Sequence, residues 1–397
     1  MRPDDVAYVL SAQGRSVVDE LTAESLSPDA LLATATQLRK HLAAGQAAAA
    51  LEMAVLRQRA ARKFSRAERM FFTRSGLEQA TTEQVATHRA GRFAAAGMAT
   101  IADLGCGLGG DALALAGSGA NVVAIDKEWA HAAFARENAD AYGVGERVHP
   151  VLADLTDLPP LPVAAFFFDP ARRTSTGPRL APSRRLRSVE AYQPPLSLID
   201  AWQLTVPHGA VKVSPGIDYA ELPADAEAEF VSLDGDVREA VLWYGDLRAR
   251  AARRATLLPG DHTLTDLNPA HTETGPVQPY LYEPDGAVIR AHLVGQVAYL
   301  LGATLIDPDI AYLTAATAQQ TPFARAFRIE DHFPFQLKQL RSYLQERGVG
   351  AVTIKKRGSP LDVDELRQAL RLRGSAHRTV FLTQVMGQHT VLVGEPL

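Results

Sequence analysis

The chain reads as a three-part α/β protein: a helical N-terminal region, a doubly wound parallel sheet, and a smaller C-terminal α+β domain. Three observations predict this. Apolar runs at residues 98–102, 121–125, 148–153, 163–168 and 209–214 alternate with helical stretches such as 128–142, the pattern of parallel strands joined by crossover helices. No strand-like alternation precedes residue 98, where Ala, Leu, Gln, Glu and Arg dominate. The length, 397 residues, exceeds one ordinary domain, so two or three are expected.

Residues 1–92 form the helical region. The alanine tract at 43–50 is a strong helix former, and Ser27-Pro28-Asp29 offers an N-cap with proline at the first helical position. Thr81-Thr82-Glu83-Gln84 offers a cap and an early acid for a helix running toward Phe93. Residues 93–258 hold the doubly wound sheet, whose last strands, 230–233 and 239–244, are joined by Asp234-Gly235-Asp236 as a closing hairpin. A Pro-, Thr- and Gly-rich stretch at 259–279 reads as a linker. Residues 280–397 offer helices around 291–301 and 335–346 and strands around 351–355, 379–385 and 389–393, a compact α+β domain.

The most informative stretch is 101–110, Ile-Ala-Asp-Leu-Gly-Cys-Gly-Leu-Gly-Gly, followed by a helix from about residue 111. A strand, a glycine turn and a helix let the backbone approach a ligand closely, because glycine has no Cβ to obstruct it. Four of the predicted strands end in a carboxylate: Asp103, Asp126, Asp154 and Asp169. Such a row suits a polar, partly cationic ligand lying across the carboxyl ends of a parallel sheet. A nicotinamide-binding domain also has a glycine turn and an acid after its second strand. The third and fourth acidic strand ends lie outside that fingerprint.

This pattern resembles the class I S-adenosylmethionine (SAM)-dependent methyltransferases, which share a Rossmann-like doubly wound sheet. The resemblance implies that Asp103, Gly105, Gly107 and Gly109 line the methionine and ribose end of SAM. It further implies that Asp126 accepts the ribose hydroxyls, that Asp154 faces the adenine amino group, and that Asp169 and Pro170 are the catalytic residues of a substrate loop. Residues 67–73 (Ala-Glu-Arg-Met-Phe-Phe-Thr), with 81–88, resemble the run-in to the catalytic domain of trimethylguanosine synthases, which methylate the exocyclic amine of a guanosine cap. The likeness continues through 105–110 and 138–142. It breaks at Asp169-Pro170-Ala171-Arg172, where the cap enzymes carry Pro-Pro-Trp, which argues against cap trimethylation. Thr353-Ile354-Lys355-Lys356-Arg357-Gly358 resembles the THUMP-like domain attached to a group of bacterial methyltransferases; true THUMP domains present tRNA or rRNA to a catalytic neighbour.

Substrate candidates follow the fourth strand. Arg172 and Arg173 suit a phosphate or carboxylate through bidentate contacts, and Arg184 and Arg185, with Arg179 and Arg187, extend them into a polyanion-binding loop. The same arginines could instead be solvated or pair with acids such as Glu190. Lys212, at the end of the fifth strand, lies on the same edge and could hold substrate. Lys355, Lys356 and Arg357 follow a strand and read either as phosphate contacts or as a solvated strand end. His332 reads as a helix-start or core histidine, and Arg248, Arg250, Arg253 and Arg254 as a basic face or plain exposed surface.

The function that emerges is SAM-dependent methylation of RNA, tRNA or rRNA, at a nitrogen or oxygen. Two alternatives are methylation of a small anionic metabolite and a non-catalytic RNA-binding protein that keeps the fold. A net charge of −4 confines any nucleic-acid site to a local patch. Cys106, the single cysteine, sits in the glycine turn, so neither an internal disulfide, a cysteine zinc cluster nor a cysteine nucleophile is expected. No apolar run reaches membrane-spanning length and the N-terminus lacks a signal pattern, so a cytoplasmic protein with no membrane or metal partner is expected.

Overall fold

A computed structural model describes residues 1–24, 28–170 and 194–397. The described residues form two compact units, Met1–Ala226 with Val241–Ala249, and Glu227–Ala240 with Arg250–Leu397.

The first unit opens with α1 (Pro3–Leu10), α2 (Ala12–Ala23), α3 (Pro28–Leu38), α4 (Ala44–Ala60), α5 (Arg74–Gln79) and α6 (Glu83–Ala95). The alanine tract becomes α4, whose small buried side chains Ala47, Ala50 and Ala54 let α1 and α2 lie against it. Arg57 of α4 is buried but paired, donating to Asp19 (2.6 Å) and to the Met70 carbonyl (2.8 Å), as a buried charge must be. Then follow β1 (Thr100–Leu104), α7 (Gly110–Gly117), β2 (Asn121–Asp126), α8 (Trp129–Tyr142), β3 (Val148–Leu152), β4 (Ala165–Phe168), α9 (Leu198–Gln203) and β5 (Gly209–Val213). Thr82 is the N-cap of α6, but its hydroxyl makes no capping bond. Glu83 instead accepts from Ser65 and from the Tyr142 hydroxyl, joining the segment after α4 to the end of α8.

These strands are parallel and ordered β3-β2-β1-β4-β5. β4 and β5 are buried along their whole length, as strands covered on both faces are. A Cβ at Gly209 would lie 2.3 Å from the Phe166 ring, so only glycine lets β5 pair beside that side chain. The chain runs outward from β1 to β2 and β3 on one side and resumes at β4 on the other. That reversal opens a crevice beyond the carboxyl ends of β1 and β4, where open parallel sheets bind ligands.

In the second unit β6 (Glu227–Leu233) is followed by β7 (Asp236–Tyr244), which is divided between the units, then by β8 (Arg253–Leu258) and β9 (His262–Thr265). Asp234 and Gly235 both take left-handed backbone (φ 55° and 81°), the pair a two-residue hairpin turn needs. β6 pairs parallel with β8, and β8 antiparallel with β9. The stretch that composition reads as a linker therefore contains a strand. Next come β10 (Tyr280–Pro284), α10 (Gly286–Arg290), α11 (Val294–Leu301), β11 (Thr304–Asp307), β12 (Ile310–Ala315), β13 (Ala324–Pro334), α12 (Leu337–Glu346), β14 (Val349–Lys356), α13 (Val363–Leu370), β15 (Ala376–Val385) and β16 (Gln388–Pro396). They build a sheet ordered β11-β12-β10-β13-β16-β15-β14, antiparallel except for β14 and β15, which α13 connects in parallel.

Several sequence expectations change here. His332 is neither a helix start nor a core residue; it is exposed on β13, with its N–H on the Asp331 carboxylate. Lys355 pairs with Glu283 of β10, and Arg357 lies 3.7 Å from the same carboxylate while donating to the Ala311 carbonyl. These two cations hold strands together rather than standing open at a strand end. Arg254 pairs with the fully buried Glu227 (2.7 Å), and Arg253 with Asp266 (3.7 Å), so half of that arginine cluster is internal bracing.

Candidate active site

The crevice of the first unit is built from strand ends. β1 delivers Asp103, only 1% exposed, whose Oδ2 meets no hydrogen-bond donor among the described residues. Burial, then the neighbouring carboxylates of Asp111 and Asp169, push its carboxyl well above the usual carboxylate range, while Arg89 pulls the other way. The glycine turn follows. The N–H groups of Gly105 and Cys106 both donate to the Ile125 carbonyl (2.9 Å each), stapling the turn to β2. At Gly109 φ is +83° and a Cβ would lie 3.1 Å from the Ala135 Cβ of α8, so both backbone and packing demand glycine. Burial, then the charges of Asp103 and Asp126, push the Cys106 thiol up, so the lone cysteine is a packed apolar group rather than a thiolate.

β2 delivers Asp126 beneath the turn. Its Oδ2 accepts from Gly107 N–H (2.9 Å), its Oδ1 from Glu128 N–H (2.8 Å), and His131 Nδ1 lies 3.3 Å away. Burial pushes this carboxyl up, but the His131 hydrogen bond and those two backbone donors outweigh it and hold it below the usual range. After β3, Asp154 accepts from the Thr156 N–H (3.0 Å) and hydroxyl (2.8 Å), which keeps it ionised.

β4 delivers Asp169, a quarter exposed, whose Oδ2 accepts from Lys212 Nζ at 2.6 Å. Lys212 ends β5, is 5% exposed, and also donates to the Thr81 hydroxyl (2.9 Å) between α5 and α6. The Asp169 carbonyl faces the glycine turn, 3.5 Å from where a Gly105 Cβ would stand. Pro170 behind it is buried. Arg172, Arg173, Arg184 and Arg185 lie outside the described residues.

Other residues, not among the sequence-derived site candidates, also take part. Arg89 of α6, 2% exposed, pairs with Asp111 and stacks on Phe167 of β4 (4.4 Å to the ring centroid), placing a buried cation among the site's carboxylates. Asn138 of α8 accepts from Phe71 N–H (2.7 Å) and donates to the carbonyls of Phe71 (3.1 Å) and Leu108 (2.9 Å), clamping the run-in segment onto the glycine turn. Thr73 lies 3.4 Å from the His131 ring, which in turn touches Asp126. Only the periodicity of α6 could have hinted that Arg89 faces inward, whereas Thr73 and Asn138 lie in the 67–73 and 138–142 stretches that resemble the cap enzymes.

A glycine turn at a switch point, with Asp103, Asp126 and Asp169 close enough to feel one another's charge and one Asp103 oxygen buried and unmet among the described residues, makes this crevice the candidate ligand site of an α/β fold. It fits a ligand that combines hydroxyls with positive charge, as SAM does.

Comparison with known proteins agrees. Residues 98–206 match the RNA cap guanine-N2 methyltransferase family, residues 324–396 the THUMP domain-like family, and residues 2–60 a domain of unknown function. The chain is 33% identical over 352 residues to an uncharacterized SAM-dependent methyltransferase of Mycobacterium tuberculosis, present in strains CDC 1551 / Oshkosh and ATCC 25618 / H37Rv. That alignment covers 84% of this chain and 92% of the relative. A crystal structure of a methyltransferase-type protein from Porphyromonas gingivalis W83 superposes with a TM-score of 0.70 at 21% identity, over 94% of this chain and all of the other, and so shares the fold. The chain belongs to the SAM-dependent methyltransferases. It is an enzyme that uses SAM, with a THUMP-like domain at its C-terminus. Among the described residues no helix is long and apolar enough to cross a membrane, and no group of three or more His, Cys, Asp or Glu is arranged to hold a metal.

Proposed function

We propose that this enzyme methylates RNA, tRNA or rRNA, at a nitrogen or oxygen atom, with residues 93–258 as the catalytic part and residues 280–397 as an RNA-presenting part. When bound, SAM supplies an electrophilic methyl group together with its own leaving group, so the protein's work is mainly positioning and proton handling. In this reading the unmet oxygen of Asp103 takes the cationic end of SAM, and Gly105, Gly107 and Gly109 let the backbone lie close to it. Asp126 accepts from the ribose hydroxyls and Asp154 faces the adenine. Asp169 accepts a hydrogen bond from the acceptor's N–H or O–H and turns a lone pair toward the methyl carbon. Lys212 holds that carboxylate in place through their ion pair, Pro170 stiffens the loop, and Arg172, Arg173, Arg184 and Arg185 meet phosphates.

The observation that carries the reading is the Lys212–Asp169 pair beside the glycine turn, with Lys212 buried and Asp169 in the segment similar to RNA cap guanine-N2 methyltransferases. Mass spectrometry of nucleosides from RNA of a strain lacking this protein tests it. One methylated nucleoside should vanish, and purified enzyme should restore it. Asp169→Ala should lower turnover while leaving SAM affinity largely intact, because the lost contact acts in the transition state. An unchanged nucleoside profile together with methylation of a small phosphorylated or carboxylated metabolite would overturn the proposal.

A further inference from the structure

Residues 59–74 carry Arg59, Arg62, Lys63, Arg66, Arg69 and Arg74 against one acid, Glu68, in a chain whose net charge is −4. Lys63 is folded inward, its ammonium on the carbonyls of Leu77 and Ala80 (2.8 Å each). The five arginines are exposed. Arg66 reaches the Ala141 carbonyl (3.0 Å), and Arg74 lies 3.7 Å from Glu52 in a largely solvated pair. The side chains of Arg59, Arg62 and Arg69 make no ion pair or hydrogen bond among the described residues. The C-terminal dipole of α4 accounts for a cation at Arg59, but not for those further along the segment. An ordinary surface intersperses the two signs of charge, and this one does not.

The same segment is fastened to the catalytic crevice at several points. Asn138 clamps Phe71 to the glycine turn, and Gly76 packs against Leu108 of that turn, where a Cβ would come within 2.7 Å of the Leu108 side chain. Thr73 reaches His131 beside Asp126, and Thr81, just beyond α5, holds the Lys212 that pairs with Asp169. The exposed arginines therefore sit on a segment whose other residues are bonded beside the glycine turn and Asp126, and that leads into the Thr81 that holds Lys212. Guanidinium groups without carboxylate partners suit phosphodiester oxygens, which they can contact bidentately.

We propose that the arginine face of residues 59–74 is an RNA-backbone docking surface, feeding the polymer to the crevice its own segment helps to build. This rests on the RNA reading above. The test measures fluorescence anisotropy of a labelled 20-nucleotide single-stranded RNA, and of bulk tRNA, at 50–200 mM salt on the full chain. Arg59→Glu/Arg62→Glu/Arg69→Glu should weaken binding at least tenfold. It should also flatten the plot of log affinity against log salt by about 0.7 per lost phosphate contact. Affinity for S-adenosylhomocysteine should stay within twofold. If the glutamate variant fails to fold, Arg59→Gln/Arg62→Gln/Arg69→Gln should show the same direction with a loss of threefold or more. A folded variant with wild-type RNA affinity and salt slope overturns this surface while leaving the RNA reading standing. A wild-type protein that binds neither RNA at 50 mM salt overturns both.

Discussion

Replacing Lys212 with methionine keeps the length of the side chain and removes its charge. In the native structure the ammonium is 5% exposed and is shared between the Asp169 carboxylate and the Thr81 hydroxyl. Removing one partner of a fully buried ion pair costs about 3–5 kcal/mol, because the other charge is left stranded. Asp169, however, keeps a quarter of its side-chain surface in water, so solvent can replace part of what the ammonium supplied. With the Thr81 bond included, Lys212→Met should cost about 2–3 kcal/mol, or roughly 4–12 °C in Tm for a folding unit above 150 residues. The assay is urea unfolding followed by circular dichroism, run as a double-mutant cycle with Asp169→Asn. Lys212→Met/Asp169→Asn should be more stable than Lys212→Met alone, since it strands no charge, with a coupling of about 1–2 kcal/mol. A Lys212→Met protein as stable as wild type, with zero coupling, would refute the claim that this pair organises the end of β4.

Three further outcomes follow from the same geometry. If Asp126 accepts from the ribose hydroxyls as proposed, Asp126→Ala should weaken SAM binding by about 1.5–3 kcal/mol, a loss of roughly ten- to 150-fold by calorimetry, and would also free Gly107 N–H; unchanged affinity would remove Asp126 from the site. Asp103 has a carboxyl raised by burial and by Asp111 and Asp169, so the native state holds its proton more tightly than the unfolded chain. Its contribution to stability is full below about pH 4, the unfolded carboxyl's range, and is lost as pH rises through the raised native value. Asp103→Asn should therefore gain on wild type as pH rises above about 4, by up to about 1.4 kcal/mol per pH unit until the raised native value is passed, and a pH-independent difference in urea midpoints would contradict this. Asn138→Ala should cost about 2–4 kcal/mol in unfolding experiments, because it leaves the Phe71 and Leu108 backbone groups buried without their bonds. It should also weaken SAM binding by loosening the glycine turn.

The sequence by itself determined the architecture of the first unit and the row of acids at its strand ends. Short continuous apolar runs separated by helical stretches admit few solutions other than a covered parallel sheet, and a turn with three glycines declares a close approach of backbone to ligand. Both signals are local, carried by residues within about ten positions of one another. β13 was invisible for the opposite reason. β13 alternates imperfectly and is exposed along much of its length, so its pairing with β10 and β16 is set by partners far away in the chain. The same holds for the electrostatics. Nothing near Lys212 announces Asp169, 43 residues earlier, or Thr81, 131 residues earlier, and nothing near Arg89 announces Asp111 or Phe167. Charge type and spacing can nominate a lysine or an arginine for substrate. Only the fold decides whether its charge is already neutralised, because burial makes pairing obligatory and the partner comes from whichever element the topology brings alongside.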